Sequence, residues 1–575
     1  VKPPLRRVIL IALLVLAAAL RVYWASRPRV VWGDETFYLW VGQSLLDGHG
    51  YQFFGFSGSH FSPLFPLVAA LIAKLASGFT ASSTQALIAG SGTVYVVSGA
   101  LLVLPVYGIA RRIAGAGAGL AAALVAAAYP MLTAGALFWS TGTEVLYLFL
   151  LAMGWWGLLV ALQDDRLWGY ALAGAMIALA YQVRTEGLVF LVAGTVAVFL
   201  LRLTQSSAHR LRRGLIGAGL VVLVFFVMIS PYLVIQWIQT GELQLTEEAG
   251  FAYTSMQGLA ERDMAQFDQA TWGLDPASGE VYLFAPASAQ QGFLVAIVAD
   301  PAGFARRLRT NFVSLLNTTF SASLIPWPLA ALAVLGLFSR TWDARRWCGE
   351  LLLTAFLAGP LSFLLFDVQA RYLSGVLLPA LVWTGEGVAQ LGEWLAGTVG
   401  GGAGERGSKG EGEKRGQGAR AQGLSPSSPL PLSHSPLLRA APAVLLAAVL
   451  LWQTPHVWEM MHWTHSFQPA HLLAADELRA RGVPADAVVM SRYPAIAFHA
   501  GTRWAPTPDA AWPEVVTYAR KHGAHYLAMD AWEGELRPQL RFLLDPGQAP
   551  AELRYLATVD AGAGPVVLYE FVMGE

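Results

Sequence analysis

Long apolar runs recur along this chain, and they limit what it can fold into more than any other feature. VILIALLVLAAAL follows Arg7, and VVLVFFVMIS precedes Pro231. Runs of about 18 to 20 apolar residues match the roughly 30 Å hydrocarbon core of a bilayer. Of 575 residues, 55% are hydrophobic and only 13% charged, with a mean hydropathy of +0.49. A soluble domain carries about 25% charged residues. The pattern reads as an all-α polytopic membrane protein with about eleven transmembrane helices. They are expected near 7–25, 85–109, 113–137, 145–162, 168–183, 187–201, 215–238, 321–338, 348–366, 372–395 and 437–453.

Charge at the ends of these runs orders them. Lys2, Arg6 and Arg7 flank the first, and further basic residues follow at Arg111–Arg112, Arg166, Arg202 to Arg213 and Arg340 to Arg346. All fall on one side, the cytoplasmic side by the positive-inside rule, if residues 63–78 do not span. That stretch, PLFPLVAALIAKLASG, carries Lys74 and two prolines and reads as an interfacial amphipathic helix. Residues 1–396 then form the membrane-embedded body, with long outer loops at 26–84 and 239–320. Residues 397–436, rich in Gly, Ser and Pro, read as a disordered cytoplasmic linker leading to the last span at 437–453. Residues 468–575 change character: strand patterns at 488–491 and 525–530 alternate with a helix pattern over WPEVVTYARKHG, predicting a small soluble α/β domain outside.

Composition also excludes some chemistry. The formal net charge is zero, so no nucleic-acid partner is expected, and the single cysteine, Cys348, rules out a disulfide framework or cysteine metal cluster. His462 and His465 have helical i, i+3 spacing within the run His456 to His471. No third ligand follows at fixed spacing, so no metal site is assigned, and a divalent metal stays open as a cofactor.

Four short motifs sit where apolar runs end on the outer side. Asp34-Glu35 lies in WGDETFY with Tyr38, Glu144 in STGTE, Arg184 and Glu186 in QVRTEG, and Arg371-Tyr372 in DVQARY. Each has a structural explanation: acids favour a helix N-terminus, Thr141 or Thr143 can cap the next helix, Arg184 can pair with Glu186, and Arg-Tyr can anchor an interface. Together they do more. Arginine binds phosphate oxygens through paired donors, a carboxylate can take a proton from a hydroxyl, and charge near a membrane is costly unless used. His60 and Lys74, in the first outer loop, are further cationic candidates.

The order of these motifs resembles the GT-C glycosyltransferases, in the branch of protein O-mannosyltransferases and lipid A aminoarabinose transferases. The likeness runs through Asp34-Glu35, Tyr38, Gly48, Ser62-Pro63-Leu64-Phe65-Pro66, Arg111–Arg112 with Gly115, Glu144, Arg184-Thr185-Glu186-Gly187 and Arg371-Tyr372 with Pro379. It covers about residues 1–390. Aminoarabinose transferases place Glu-Lys just before the first-loop proline, whereas this chain has Phe61-Ser62.

The resemblance implies inverting transfer of a sugar from a polyprenyl-phosphate donor to a hydroxyl on a lipid, protein or polysaccharide acceptor. Asp34 is then the expected base, supported by Glu35 and Glu144. Arg371, Arg184, Lys74 and His60 are the expected phosphate ligands, and Tyr38, Glu186 and Tyr372 the expected substrate contacts. The implied site is a multi-pass cell membrane, with membrane lipids as further partners and the chemistry on the extracytoplasmic side. Two other classes compete. A transporter would carry charged or broken helices near the midplane and an internal repeat, and none is legible. A non-catalytic polysaccharide or lipid assembly protein would not need Asp34 and Glu144.

Overall fold

The computed structural model of the protein describes residues 3–135, 142–204, 209–240, 263–283, 293–400 and 436–572, apart from residues 28, 59, 468 and 563, together with Leu245 and Tyr253. Of the expected linker at 397–436, residues 401–435 lie outside the described residues, while 397–400 end one helix and 436 begins another; most of the acidic stretch after residue 240 also lies outside.

The membrane body is built of α1 (Pro3–Ala25), α2 (Asp34–Leu46), α3 (Leu64–Ala76), α4 (Ser83–Leu101), α5 (Val103–Ala114), α6 (Ala116–Ala128), α7 (Thr143–Asp164), α8 (Leu167–Tyr181), α9 (Gly187–Thr204) and α10 (Arg210–Thr240). It continues with α11 (Met264–Trp272), α12 (Pro301–Thr319), α13 (Trp327–Phe338), α14 (Ala344–Phe356), α15 (Leu377–Gly400) and α16 (Pro436–Phe467). A two-stranded hairpin, β1 (Gln52–Phe53) and β2 (Phe56–Ser57), follows α2.

Among the described residues seven helices are long and apolar enough to cross a membrane: Pro3–Ala25, Ser83–Ala114, Thr143–Asp164, Gly187–Thr204, Arg210–Ile238, Ala344–Leu365 and Ala441–Glu459. The remaining expected spans are shorter or carry charge. Gly115, at φ 92, starts α6 and Pro130 follows its end, leaving 13 residues, or about 20 Å of helix. α8 and α13 are also short apolar helices. α15 holds Glu386, which is buried against Arg346 of α14 at 3.0 Å, while Glu350 takes a second bond from the same guanidinium at 3.1 Å. α6 and α8 pack against neighbouring helices, whereas α13 buries one face and exposes Trp327, Val334 and Phe338 on the other. α13 and α15 cross backbone to backbone: a Cβ on Gly336 would overlap the carbonyl oxygen of Trp383, and one on Gly387 that of Leu332.

α3 lies against α2 and α4 through Phe65, Pro66, Ala69, Ala70 and Ala73, and exposes Leu67, Leu71 and Leu75. Its outward face is therefore apolar as well, with Lys74 as the one charge on the helix.

The C-terminal α/β domain begins with α17 (Pro469–Ala480) and holds β3 (Val488–Ser491), α18 (Ala495–Ala500), β4 (Arg503–Pro506), α19 (Trp512–Lys521), β5 (Ala524–Asp530), β6 (Leu553–Asp560) and β7 (Pro565–Phe571). Its five strands are ordered β4-β3-β5-β7-β6, with β3 parallel to β4 and β5, and β7 antiparallel to β5 and β6. VVMS of β3 is buried throughout, as a parallel strand covered on both faces should be.

This domain sits on the two loop regions of the body. Asp268 of α11, fully buried, accepts from Nε of both Arg492 and Arg537. The Thr84 hydroxyl donates to the Phe498 carbonyl at 3.2 Å, and the Asp509 amide donates to the Trp272 carbonyl at 2.8 Å.

Candidate active site

Asp34 opens α2. Gly33, at φ 56, turns the chain into the helix in a conformation that favours glycine, and the Thr36 hydroxyl donates to the Gly33 carbonyl at 2.7 Å. Both acids occupy the first turn, where the helix dipole favours them, yet they diverge. Glu35 is 1% exposed and receives both arms of Arg29 at 2.6 Å each, with the Ser91 hydroxyl as a third donor. It is fully engaged. The Asp34 side chain remains 39% exposed and, among the described residues, forms its ion pair with Arg371, at 3.3 Å.

Arg371 comes from the segment between α14 and α15. Asn311 of α12 holds that segment by donating to the carbonyls of Leu364 and Phe366, both at 3.0 Å. The Arg371 guanidinium donates to the Tyr372 hydroxyl at 2.9 Å and to Gln369 at 3.1 Å, and Gln369 in turn donates to Asp367 at 2.7 Å. The Tyr372 ring stacks on Phe363 at 4.9 Å and lies 5.4 Å from the Arg184 guanidinium.

Arg184 stands in the turn between α8 and α9. The Leu64 amide at the start of α3 donates to the Gln182 carbonyl at 2.8 Å, which draws the first loop to this turn. Arg184 bonds Glu144 at 3.1 Å and Glu186 at 2.8 Å. Glu144, 3% exposed, lies in the first turn of α7, where Gly142 is the N-cap residue; Ser140 and Thr141 lie outside the described residues. Asp34, Arg371, Tyr372, Arg184, Glu144 and Glu186 therefore form one connected network from four separate chain segments.

Tyr38 stands one turn along α2 from Asp34, its ring edge-on to Phe61 at 5.1 Å and Phe65 at 5.6 Å. His60 is close enough to Asp34 to feel its charge, but burial dominates and pushes the imidazole down to about 4. At neutral pH it is a neutral hydrogen-bonding group. Lys74 is exposed in the last turn of α3, in no ion pair among the described residues, and the structure does not bring it to the network. Arg184, Glu186, Arg371 and Tyr372 line a narrow crevice of about 10 Å³ with Tyr147 and Phe190, room for about one water molecule.

Arg29, Ser91 and Gln369 were not singled out by sequence. Arg29 carried one signal: it is the cation nearest Glu35 in a segment that must turn back on itself. Among the described residues no group of three or more His, Cys, Asp or Glu could hold a metal, and the side chains of His462 and His465 lie outside them.

A family model described as dolichyl-phosphate-mannose-protein mannosyltransferase matches residues 61–235. Among solved structures, the oligosaccharyltransferase of Archaeoglobus fulgidus in its apo form shares 14% identity at a TM-score of 0.55, over 92% of this chain and 70% of that one. The same organism's AglB, in complex with an inhibitory peptide and a dolichol-phosphate, shares 14% at 0.51, over 92% and 70%. ArnT from Cupriavidus metallidurans bound to undecaprenyl phosphate shares 12% at 0.51, over 98% of each chain. At these identities the likeness is one of fold. No curated protein sequence matches. The family model over residues 61–235 and the shared architecture liken the chain to the GT-C glycosyltransferases in fold, and its apolar helices are those of a multi-pass membrane protein.

Proposed function

We propose that the protein is an inverting glycosyltransferase that moves a sugar from a polyprenyl-phosphate donor to an acceptor hydroxyl on the extracytoplasmic face of the membrane. The observation that carries this reading is the contact between Asp34 and Arg371: a partly exposed carboxylate held loosely by a single guanidinium. At 3.3 Å the pair is longer than the roughly 2.7–2.9 Å of a tight charge-assisted bond, so a phosphate can take the guanidinium over.

The acceptor hydroxyl attacks C1 of the sugar from the face opposite the phosphate. The C1–O bond to phosphate breaks, the phosphate oxygen keeps the electron pair, and the acceptor proton passes to Asp34. Phosphate is already a good leaving group, so no strong general acid is needed. The reaction needs one base and a cation that follows the developing charge. Arg371 serves as that cation: as it turns to the phosphate, Asp34 loses its counter-ion and becomes the stronger base. Arg184 is held by Glu144 and Glu186, and its part is to fix Tyr372 and the turn that shapes the crevice. Relatives of the same fold are bound to undecaprenyl phosphate and dolichol-phosphate, which supports a lipid phosphate as the donor's leaving group.

Incubation of the purified protein with a panel of polyprenyl-phosphate sugars and acceptors, read by mass spectrometry, tests this. Release of free polyprenyl phosphate with glycosylated product, absent in Asp34→Asn, is expected. No turnover of any donor would overturn it.

A further inference from the structure

A second cavity, about 610 Å³, opens on the other side of α2. Trp40, Gln43, Ser44 and Asp47 line it, and their helical spacing sets them on one face, about half a turn from the face that carries Asp34 and Tyr38. The remaining walls come from the β1–β2 hairpin, from the start of α4 through Thr84 and Leu87, and from the C-terminal domain, through Phe54, Phe498 and Arg503 among others. Its size falls in the roughly 300–1,000 Å³ range of ligand sites.

Two observations say what it would hold. The first is a local conflict at the hairpin turn. Phe53 pairs with Phe56, so the loop is Phe54-Gly55, with φ 49 and 91. A two-residue turn with both φ positive calls for Asn or Asp before Gly, and a bulky side chain there is an outlier. The ring that occupies this costly position stands edge-on to Trp40 at 4.7 Å and lies 5.9 Å from the Arg503 guanidinium. Strain kept where turn chemistry offers a better residue points to use of the side chain.

The second observation is the polar set. Gln43, Asp47, His49 and Arg503 line the cavity, and no side-chain hydrogen bond of theirs occurs among the described residues. They are planar groups, supplying donors and acceptors together. Asp47 and Arg503 cancel in charge, which suits an uncharged ligand better than a phosphate. Trp504, Ala505 and Pro506 of β4, the edge strand of the sheet, are buried, so a peptide finds no open strand edge to extend. Aromatic surface beside unpaired, planar polar groups whose charges cancel is what binds sugar rings, whose C–H faces pack on aromatics and whose hydroxyls donate and accept.

We propose that this cleft between α2, the hairpin and the C-terminal domain binds a neutral saccharide chain, an acceptor glycan held away from the Asp34 network. That the saccharide is the acceptor rests on the glycosyl transfer proposed above; that the cleft binds saccharide does not.

The test titrates the full-length protein, in nanodiscs, with neutral tetrasaccharides of mannose, glucose and galactose, by calorimetry and saturation-transfer NMR. The decisive variant is Phe54→Asn, which removes the ring while giving the turn its preferred residue, so a loss of binding is not a loss of fold. Saturable binding at millimolar concentration or below is expected, weakened about tenfold or more in Phe54→Asn and in Arg503→Ala, with unfolding temperature unchanged or raised in the former. Asp34→Asn should bind the saccharide as the parent does. Absence of binding for every tetrasaccharide, equal binding by Phe54→Asn, or displacement by a peptide would each overturn the assignment. Saccharide binding without turnover in any donor assay would leave the cleft standing and remove the transferase reading instead.

Discussion

Nε2 of His499 accepts the backbone N–H of Val31 at 2.9 Å, just ahead of Asp34 in the chain. The next residue, Trp32, is packed between His471 at 5.0 Å and Tyr493 at 4.4 Å. The strand of chain that delivers Asp34 is thus seated on the C-terminal domain, on a histidine that must be neutral to accept.

That requirement sets a pH dependence. Burial, helped by Arg29, Arg479 and His471, brings the His499 imidazole from 6.5 down to about 4. The unfolded chain binds a proton below 6.5 that the folded one refuses, so this group's contribution is complete above that pH and lost as pH falls towards 4. His60 carries the same sign. The unfolding temperature should therefore drop between pH 6.5 and 4, and less steeply in His499→Gln, whose amide oxygen accepts without titrating. Identical slopes would mean other groups control acid stability.

Asp34→Asn keeps the shape of the side chain and removes the base. A positioned general base is worth about 10² to 10⁴ in rate, so kcat should fall at least about a hundredfold while donor affinity holds. Turnover with a single saturating donor measures it. Near-full activity in Asp34→Asn, with loss in Glu144→Gln, would move the base.

Arg371→Ala should act chiefly on donor KM. A charge-assisted contact of about 1.5–3 kcal/mol corresponds to roughly a ten- to hundredfold rise. Arg371→Lys should recover part of it, keeping the charge without the paired donors. An unchanged KM in the alanine variant would return Arg371 to a role in holding Tyr372.

Arg184→Ala removes the guanidinium that pairs with Glu144, 3% exposed, at 3.1 Å. Breaking a buried pair on one side costs about 3–5 kcal/mol, so thermal stability should fall sharply. Adding Glu144→Gln should restore much of it, since a neutral amide is cheaper to bury alone. Failure of the double variant to recover would place the loss in the Tyr372 contact.

Most of the bundle was legible because hydropathy sets a span without help from distant residues: 145–162 was expected and Thr143–Asp164 found, 187–201 expected and Gly187–Thr204 found. Departures come where backbone chemistry or a remote partner intervenes. Gly115 and Pro130 cut the expected 113–137 helix down to α6, and α16 runs on to Phe467 through two prolines. Asp34, Glu144, Arg184 and Arg371 stood out as charges at the ends of apolar runs, a costly position. Arg29 did not, because its pairing with Glu35 depends on the turn at Gly33. His499 lies 468 residues from Val31, and no local period encodes such a meeting.

The backbone crossing of α13 and α15 bears on how this protein would drift over evolutionary time. Gly336 and Gly387 leave no room for even a methyl group, so both positions should stay fixed while lipid-facing neighbours such as Val334 and Leu335 vary freely. Invariance there would record the spacing of two helices, and a search for catalytic residues guided by conservation alone would rank these two beside Asp34, although neither has a side chain with which to do chemistry.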